Sequence, residues 1–381
     1  MHHSLSECCT RIDYGFTQSS SSDEVGPHFL RITDIEPECI DWKSVPYCQA
    51  SPEDERKYAL NPGDIVIART GASTGNSKWI ASPNGSVFAS YLVRLTSRPE
   101  INSRYLSYVL KSARWYHHVS SIAHSKSAQP NMSASAMGDF TFDVHDPKEQ
   151  QAIAEVLGAL DDKIAANRKL VTTIDEFASA VYKQAATDEQ PLTDLARFVN
   201  GRNFTKNATG DGRVVVRIAE LNSGIGGSTV RNRVEDTADD NLARPGDILF
   251  AWSGSLTLHR WTRPEALINQ HIFKVVPKTE VPYWLAYQAV ATKLPEFKGI
   301  AADKATTMGH IQRRHLDTQT ATPTADEVEA LDPLMTSLWD RAVAADRESQ
   351  TLAQLRDTLL PALMDGRIRV KDAQETVEEV L

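Results

Sequence analysis

Two polar stretches in the first third of the chain carry side chains suited to nucleic acid. Arg69-Thr70-Gly71-Ala72-Ser73-Thr74-Gly75-Asn76-Ser77-Lys78 is a run of hydroxyls and glycines with a basic residue at each end. Cationic groups meet phosphate oxygens, while hydroxyls and an arginine fork meet base edges, so such a loop suits both tasks. It lacks the Gly-Lys-Ser/Thr ending of a nucleotide-binding P-loop, and a plain hairpin tip is the competing reading. The second stretch, 123–131, offers His124, Ser125, Lys126, Gln129 and Asn131. Glutamine and asparagine pair bidentately with adenine; a solvated loop is the alternative. The same chemistry returns later as Ser253, Ser255, Thr257, His259 and Arg260, then Lys304. Expected DNA contacts are therefore Arg69, Thr70, Ser73, Thr74, Lys78, Ser125, Lys126, Gln129, Asn131, Ser253, Ser255, Thr257, His259, Arg260 and Lys304.

Residues for bond-making chemistry do not assemble. There is no adenosylmethionine-type glycine motif with an Asn/Asp-Pro-Pro-Tyr/Phe partner, no Walker A and no His-Glu-x-x-His. Glu296-Phe297-Lys298 is half a nuclease motif, but the aspartate on its upstream side, Asp247, belongs to a repeated turn. No catalytic residue is expected, and the chain reads as a non-enzyme. His118 and His124 find no third ligand, and Cys8, Cys9, Cys39 and Cys48 contain no CxxC pair. Reduced, half-buried thiols are expected there, with a zinc site as the alternative, so no metal is assigned. Trp115-Tyr116-His117-His118 reads as helix-end packing rather than a base-stacking platform. Gly224-Ile225-Gly226-Gly227 is a weak signal, and Arg313-Arg314 are solvated or phosphate contacts.

The elements that must hold these loops occur twice. Asn61-Pro62-Gly63-Asp64 predicts a type II turn, with proline presetting φ and glycine accepting a positive one. A buried strand, 65–68, leads from it into the first loop. Strand-like runs at 29–32 and 87–95 and a helix over 101–112 complete the segment. The chain then repeats itself in order. Gly15 matches Gly201; Phe29-Leu30-Arg31-Ile32 matches Val215-Val216-Arg217-Ile218; and Pro62-Gly63-Asp64-Ile65 matches Pro245-Gly246-Asp247-Ile248. Gly71 then matches Gly254, Ser90-Tyr91-Leu92 matches Gln270-His271-Ile272, and Ile122-Ala123 with Lys126 matches Ile300-Ala301 with Lys304. The offset drifts only from 186 to 178 residues, which marks a duplication. Turn and strand are kept while Arg69-Thr70-Gly71-Ala72-Ser73-Thr74 becomes Trp252-Ser253-Gly254-Ser255-Leu256-Thr257. A shared scaffold with altered loops is what two readers of different sequences need.

Between and after the copies lie two heptad patterns. Ile153, Leu157, Leu160, Ile164, Val171, Ile174, Ala178 and Val181 recur in steps of four and three, with Asn167 as a polar slot that fixes register. A helix over 147–185 would be roughly 58 Å long, more than an ordinary globular helix. Leu331, Met335, Leu338, Ala342, Ala345, Ser349, Leu352 and Leu359 repeat the steps, so the two arms are expected to bury their seams against each other. The competing reading of the first is a core helix of a bundle. Net charge is −9, yet residues 56–138 hold 10 basic and 2 acidic side chains, and 191–323 hold 17 and 13. The arms are acidic, with 5 basic and 8 acidic residues in 147–190 and 6 and 13 in 324–381. A polyanion responds to the local field, so the overall sign does not exclude nucleic acid. No apolar run reaches membrane-span length and 1–9 has no signal-peptide core. A cytoplasmic protein without membrane contact is expected.

The expected architecture is α+β, with two duplicated mixed α/β domains separated by two long antiparallel coiled-coil helices. The boundaries are 1–146 for the first recognition domain, 147–190 for the central spacer helix and 191–323 for the second recognition domain. A C-terminal spacer helix over 324–372 and a tail over 373–381 follow. This order resembles the specificity (S) subunit of type I restriction–modification systems. The local carriers are Pro62-Gly63-Asp64-Ile65 with Gly71, the helix opening Pro147-Lys148-Glu149-Gln150-Gln151, and the ending Leu359-Leu360-Pro361-Ala362-Leu363-Met364-Asp365-Gly366-Arg367-Ile368. The second copy departs where Ala325-Asp326-Glu327-Val328 replaces Pro147-Lys148-Glu149-Gln150, and Ser349 and Arg356 interrupt its seam. The resemblance implies a non-catalytic subunit reading each half of a bipartite site in double-stranded DNA. It implies helices that keep the readers apart as a ruler and dock two methyltransferase (M) subunits; the residues assigned to these partner and spacer helices are Ile153, Leu157, Leu160, Ile164, Asn167, Leu331, Met335, Leu338 and Leu352. S-adenosylmethionine would belong to the M subunits, and ATP and Mg to a restriction (R) subunit where one exists; this chain would hold no cofactor. The rival readings are a protein-binding scaffold and the DNA-reading part of a fused methyltransferase–nuclease.

Overall fold

A computed structural model describes residues 2–35, 39–123, 130–302 and 309–380. The chain divides into two compact units, Met1–Ala165 with Leu352–Leu381, and Ala166–Thr351. No described helix is long and apolar enough to cross a membrane.

The first unit contains β1 (Cys9–Tyr14), β2 (Phe29–Leu30), β3 (Ile65–Ala68), β4 (Ser77–Trp79), β5 (Val87–Phe88) and β6 (Leu92–Ser97). Four of them form an antiparallel sheet in the order β1-β6-β3-β4, while β2 and β5 pair in parallel. Strand β3 explains its own apolar run. Its side chains alternate between faces, and both faces are covered. Ile65 and Ile67 enter the core containing Leu106, Trp115 and Leu157. Val66 and Ala68 enter the one containing Leu30 and Phe88.

The second unit repeats this plan. It contains β7 (Ala196–Asn200), β8 (Arg213–Val216), β9 (Ile248–Ala251), β10 (Thr257–Arg260), β11 (Ala266–Ile268) and β12 (Ile272–Pro277). The antiparallel order is β7-β12-β9-β10, and β8 pairs with β11 in parallel. Ile248 and Phe250 face one core, Leu249 and Ala251 another. The matched glycines are required by close approach. A Cβ on Gly15 would lie 2.2 Å from the Ala89 carbonyl oxygen, and one on Gly201 2.2 Å from that of Asn269. The Pro-Gly-Asp turns have Gly63 at φ +92° and Gly246 at φ +98°. Their aspartates close the turn, accepting from Asn61 N at 2.8 Å and Arg244 N at 2.6 Å.

Local hydrogen bonding revises several expected boundaries. The run 29–32 leaves the strand after Leu30, because the Asp34 carboxylate accepts Arg31 N at 2.8 Å and starts a helical turn, Ile32–Ile35. Glu220 does the same for Arg217 N at 3.0 Å. The run 87–95 is two strands: a turn bonded from Leu92 N to the Ala89 carbonyl breaks it and exposes Tyr91. The helix expected over 101–112 is Ser103–Val109, capped by the Asn102 side chain.

The long helices are Pro147–Ala185 and Ala325–Met364. Asp146 caps the first through Lys148 N and Glu149 N. Thr324 and Glu327 form a reciprocal capping box on the second, which supplies the start that its altered sequence obscured. They pair antiparallel within each unit. In the first, Ile153, Leu157, Leu160 and Ile164 pack with Leu352, Leu359 and Leu363. Arg356 fills a seam position there by donating to Asp161 at 2.7 Å. Burial opposes the Asp161 charge, but Lys111 and Arg356 outweigh it and hold the carboxyl below its ordinary value.

In the second unit Ala178 and Tyr182 share a core with Met335 and Trp339, and the Asn167 amide donates to Glu348 at 2.8 Å. The seam runs in steps of four at this end. Tyr182 is buried instead of Val181, its hydroxyl donating to the Ala321 carbonyl at 2.8 Å, and Trp339 is buried deeper than Leu331 or Leu338. Ser349 stays in the buried seam by donating its hydroxyl back to the Ala345 carbonyl at 2.9 Å. The second helix does not reach 372. Gly366 at φ +66° and the bond from Arg367 N to the Ala362 carbonyl end it at Met364. A separate helix, Val370–Glu378, follows, and its Ala373 and Val377 are buried, so this part of the expected tail is packed.

Candidate nucleic-acid interface

The loop after β3 is held from beneath. Buried Trp115, on the helix Ala113–Ala123, donates its indole N–H to the Gly75 carbonyl at 2.8 Å. Thr74 turns inward and donates to the Gly71 carbonyl at 2.7 Å. Three backbone bonds then fix the open side: Arg69 N to the Tyr91 carbonyl at 3.0 Å, Gly71 N to that of Pro130 at 3.0 Å, and Met132 N to that of Arg69 at 2.9 Å. Asn131 is thereby set beside Arg69, whose Nη2 lies 3.3 Å from its amide oxygen. The Arg69 guanidinium lies over the Tyr14 ring, 4.7 Å from its centroid. Tyr14 is fixed in turn, its hydroxyl accepting Ala134 N at 2.9 Å.

The second unit reproduces the same backbone bonds with other side chains. Trp252 N donates to the His271 carbonyl at 3.2 Å, Gly254 N to that of Gly309 at 2.8 Å, and Ile311 N to that of Trp252 at 3.1 Å. Trp252 thus stands where Arg69 does, Asn200 where Tyr14 does, His271 where Tyr91 does, and His310 where Asn131 does. The Trp252 indole donates to Asn200 Oδ1 at 2.9 Å. Its ring lies 5.6 Å from His271 and 6.4 Å from His310. The scaffold is common and the presented chemistry differs: a cation on a phenol in one copy, an indole among imidazoles in the other.

The expected contacts separate on this framework. Arg69, Thr70, Ser73, Asn131 and Ser255 lie on or beside the presented loops, fully or partly exposed. Ser125, Lys126, Gln129 and Lys304 fall outside the described residues. Lys78 is part of β4, half-buried and paired in register with Val66. Thr74 and Ser253 point inward, the latter 3.1 Å from His271 Nδ1. Thr257 and His259 bond each other at 2.7 Å. Burial, and then the nearby Arg263 charge, lowers the His259 pKa from 6.5 to about 4.

Arg260 is a correction: its side chain is 6 % exposed and bonds Asp175 of the first long helix at 2.6 and 2.7 Å. Tyr287 and Trp339 flank it, each ring centroid 5.1 Å away. It sits on the inner side of an edge strand and is committed to the core. In the aromatic run at 115–118, Trp115 is buried and His118 meets the Ala136 carbonyl at 2.8 Å, while Tyr116 and His117 are exposed. Phe297 is likewise buried and Glu296 pairs with Lys293 at 2.6 Å, so that stretch is a packed helix segment. Cys8, Cys9 and Cys48 are buried free thiols whose pKa values rise to about 11, 12 and 11, first through desolvation.

Sequence reasoning missed Tyr14, Tyr91, Asn200 and His271. Their signal was positional. Tyr14 and Asn200 each precede the matched glycine, and Tyr91 and His271 sit in a matched triplet. It also missed a duplicated buried cation. Arg94, 1 % exposed, donates to the Ala59 carbonyl at 2.6 Å and to Asp13 at 2.8 Å. Lys274 donates to the Leu242 carbonyl at 2.8 Å and to Asp247 at 2.7 Å.

Residues 43–176 match the model of the type I restriction modification DNA specificity domain. About a third of the chain is thus similar to a type I DNA specificity domain. The matched stretch runs from the first module into the first long helix. The HindI specificity subunit of Haemophilus influenzae is 23 % identical over 149 residues, which are 38 % of this chain and 32 % of that subunit, so the match spans about a third of the relative's length. The crystal structure of a type I restriction–modification S subunit from M. genitalium aligns over 95 % of each chain with a TM-score of 0.54 at 14 % identity. At that identity the likeness is one of fold: two mixed α/β modules alternating along the chain with two long helices.

Proposed function

We propose that this chain is the DNA sequence-specificity subunit of a type I restriction–modification complex, reading a bipartite site with its two modules. The observation that carries the reading is the duplicated loop platform. The same backbone bonds present Arg69 with Asn131 in one module and Trp252 with His310 in the other. A duplication kept for stability alone has no need to vary its exposed side chains while holding their backbone fixed. On this reading Thr70, Ser73 and Ser255, with Ser125, Lys126, Gln129 and Lys304, join Arg69 and Asn131 at the DNA. The chain itself performs no catalysis. Two methyltransferase subunits dock on it and bring S-adenosylmethionine, and a restriction subunit, where present, brings ATP and Mg.

The test is to express the chain with a methyltransferase subunit encoded beside it in a host lacking that modification, and to sequence the methylome. A two-part methylated motif that disappears when this chain is omitted supports the proposal. Methylation that is unchanged without the chain would sink it, and binding of the chain to proteins but never to DNA would favour a scaffold.

A further inference from the structure

We propose that Arg69 reads a guanine in the half-site of the first module, and that the second module carries no guanine fork at the matching place. The inference rests on the DNA-reading function proposed above and goes beyond it in naming the base and the residue.

The decisive contrast is what holds each arginine. In the same unit Arg31, Arg94 and Arg104 are bound by the carboxylates of Asp34, Asp13 and Asp162. A guanidinium committed to a carboxylate has spent its fork. The contacts of Arg69 are a ring and a neutral amide, the Tyr14 face at 4.7 Å and Asn131 Oδ1 at 3.3 Å. Its Nε is buried without a hydrogen-bond partner among the described residues. The side chain is therefore oriented but not neutralised. The guanidinium lies over the Tyr14 ring, and Tyr14 is held in place by its hydroxyl, which accepts Ala134 N. A planar fork fixed at a loop rim is the geometry that pairs with guanine O6 and N7 in the major groove. A phosphate needs only charge, which a flexible lysine supplies as well. At the same backbone position the second module places Trp252, which has a single donor, and that donor is used by Asn200 Oδ1. The two half-sites are thus read by unlike chemistry at equivalent places.

The experiment is selection from a random duplex library by the full chain together with its methyltransferase partner, for the wild type, Arg69→Ala, Arg69→Lys, Tyr14→Phe and Tyr14→Leu. Thermal melting of each variant establishes that it folds. The wild type is expected to enrich a two-part motif with an obligatory guanine in one half. Arg69→Ala and Arg69→Lys relax that one position, weaken the best site by about 10–100-fold and leave the other half intact. Tyr14→Leu relaxes the same position, whereas Tyr14→Phe, which keeps the ring, does so less. An unchanged motif with Arg69→Ala overturns the proposal, as does a loss shared equally by all sequences or a Lys variant equal to wild type. A wild-type complex that enriches no motif overturns the DNA-reading function itself.

Discussion

At the residue scale the instructive contrast is between two side chains that looked alike in sequence. Arg69 and Arg260 each end a strand pattern next to a polar loop, yet one is presented and the other is clasped by Asp175. His259, next to Arg260, gives the matching pH prediction. Its imidazole is held neutral, with a pKa of about 4 against 6.5 when free, chiefly by burial. Between those values the unfolded chain takes up a proton that the fold refuses. The associated stability is thus complete above about pH 6.5 and is lost as pH falls toward 4, by up to about 3 kcal/mol. Thermal melts of wild type and His259→Gln at pH 7.5 and pH 4.5 check this. The wild type should lose more than the variant, and equal losses would assign the acid sensitivity elsewhere.

At the element scale each module is fastened to the first long helix by an arginine–aspartate pair beside an aromatic ring, built in opposite senses. In the first unit the edge strand supplies Trp79 and a helix supplies Arg104, which lies 4.9 Å from that ring and bonds Asp162 at 2.6 Å. In the second the edge strand supplies Arg260, and the helices supply Tyr287 and Trp339 around it, with Asp175 as acceptor. Trp79 and Arg260 hold equivalent register positions, opposite Ile65 and Ile248. Burial opposes the Arg260 charge, but Tyr287 and Asp175 keep its pKa raised. Arg260→Ala should cost about 2–4 kcal/mol, because it leaves Asp175 unpaired and empties a space between two rings. Denaturant titration measures it. A loss below about 0.5 kcal/mol, the size of a surface pair, would show that the clasp is incidental.

At the scale of the whole molecule the prediction concerns length. If the long helices set the distance between half-sites, a heptad added to each, at the level of Asn167 and Glu348, preserves their pairing. Seven residues add about 10 Å, or about three base pairs. The methylated or selected motif should keep both halves and gain a longer spacer. An unaltered spacer with intact halves would remove the helices from that role. The acidic balance of both arms in sequence, set against the basic stretches before and between them, agrees with helices that keep clear of the DNA backbone.

Much of this was legible because it is periodic or punctuated. The heptads foretold the Pro147–Ala185 helix, since a stripe repeating every three and four residues can be buried only on a helix. The Pro-Gly-Asp turns and the matched glycines marked the duplication, because backbone geometry admits few other residues there. The end of the second helix was readable in principle from Gly366, but a heptad count has no term for a left-handed glycine. What no linear pattern contained was the direction of individual side chains at the edge strands and loops. Whether Arg260 meets solvent or Asp175, whether Tyr182 or Val181 fills the seam, and whether Tyr14 carries Arg69 depend on residues far away in the chain. Sequence specifies elements through local sterics and the burial of repeating faces. The chemistry offered at the loop rim is decided by long-range partners, which only the assembled fold brings within hydrogen-bonding distance.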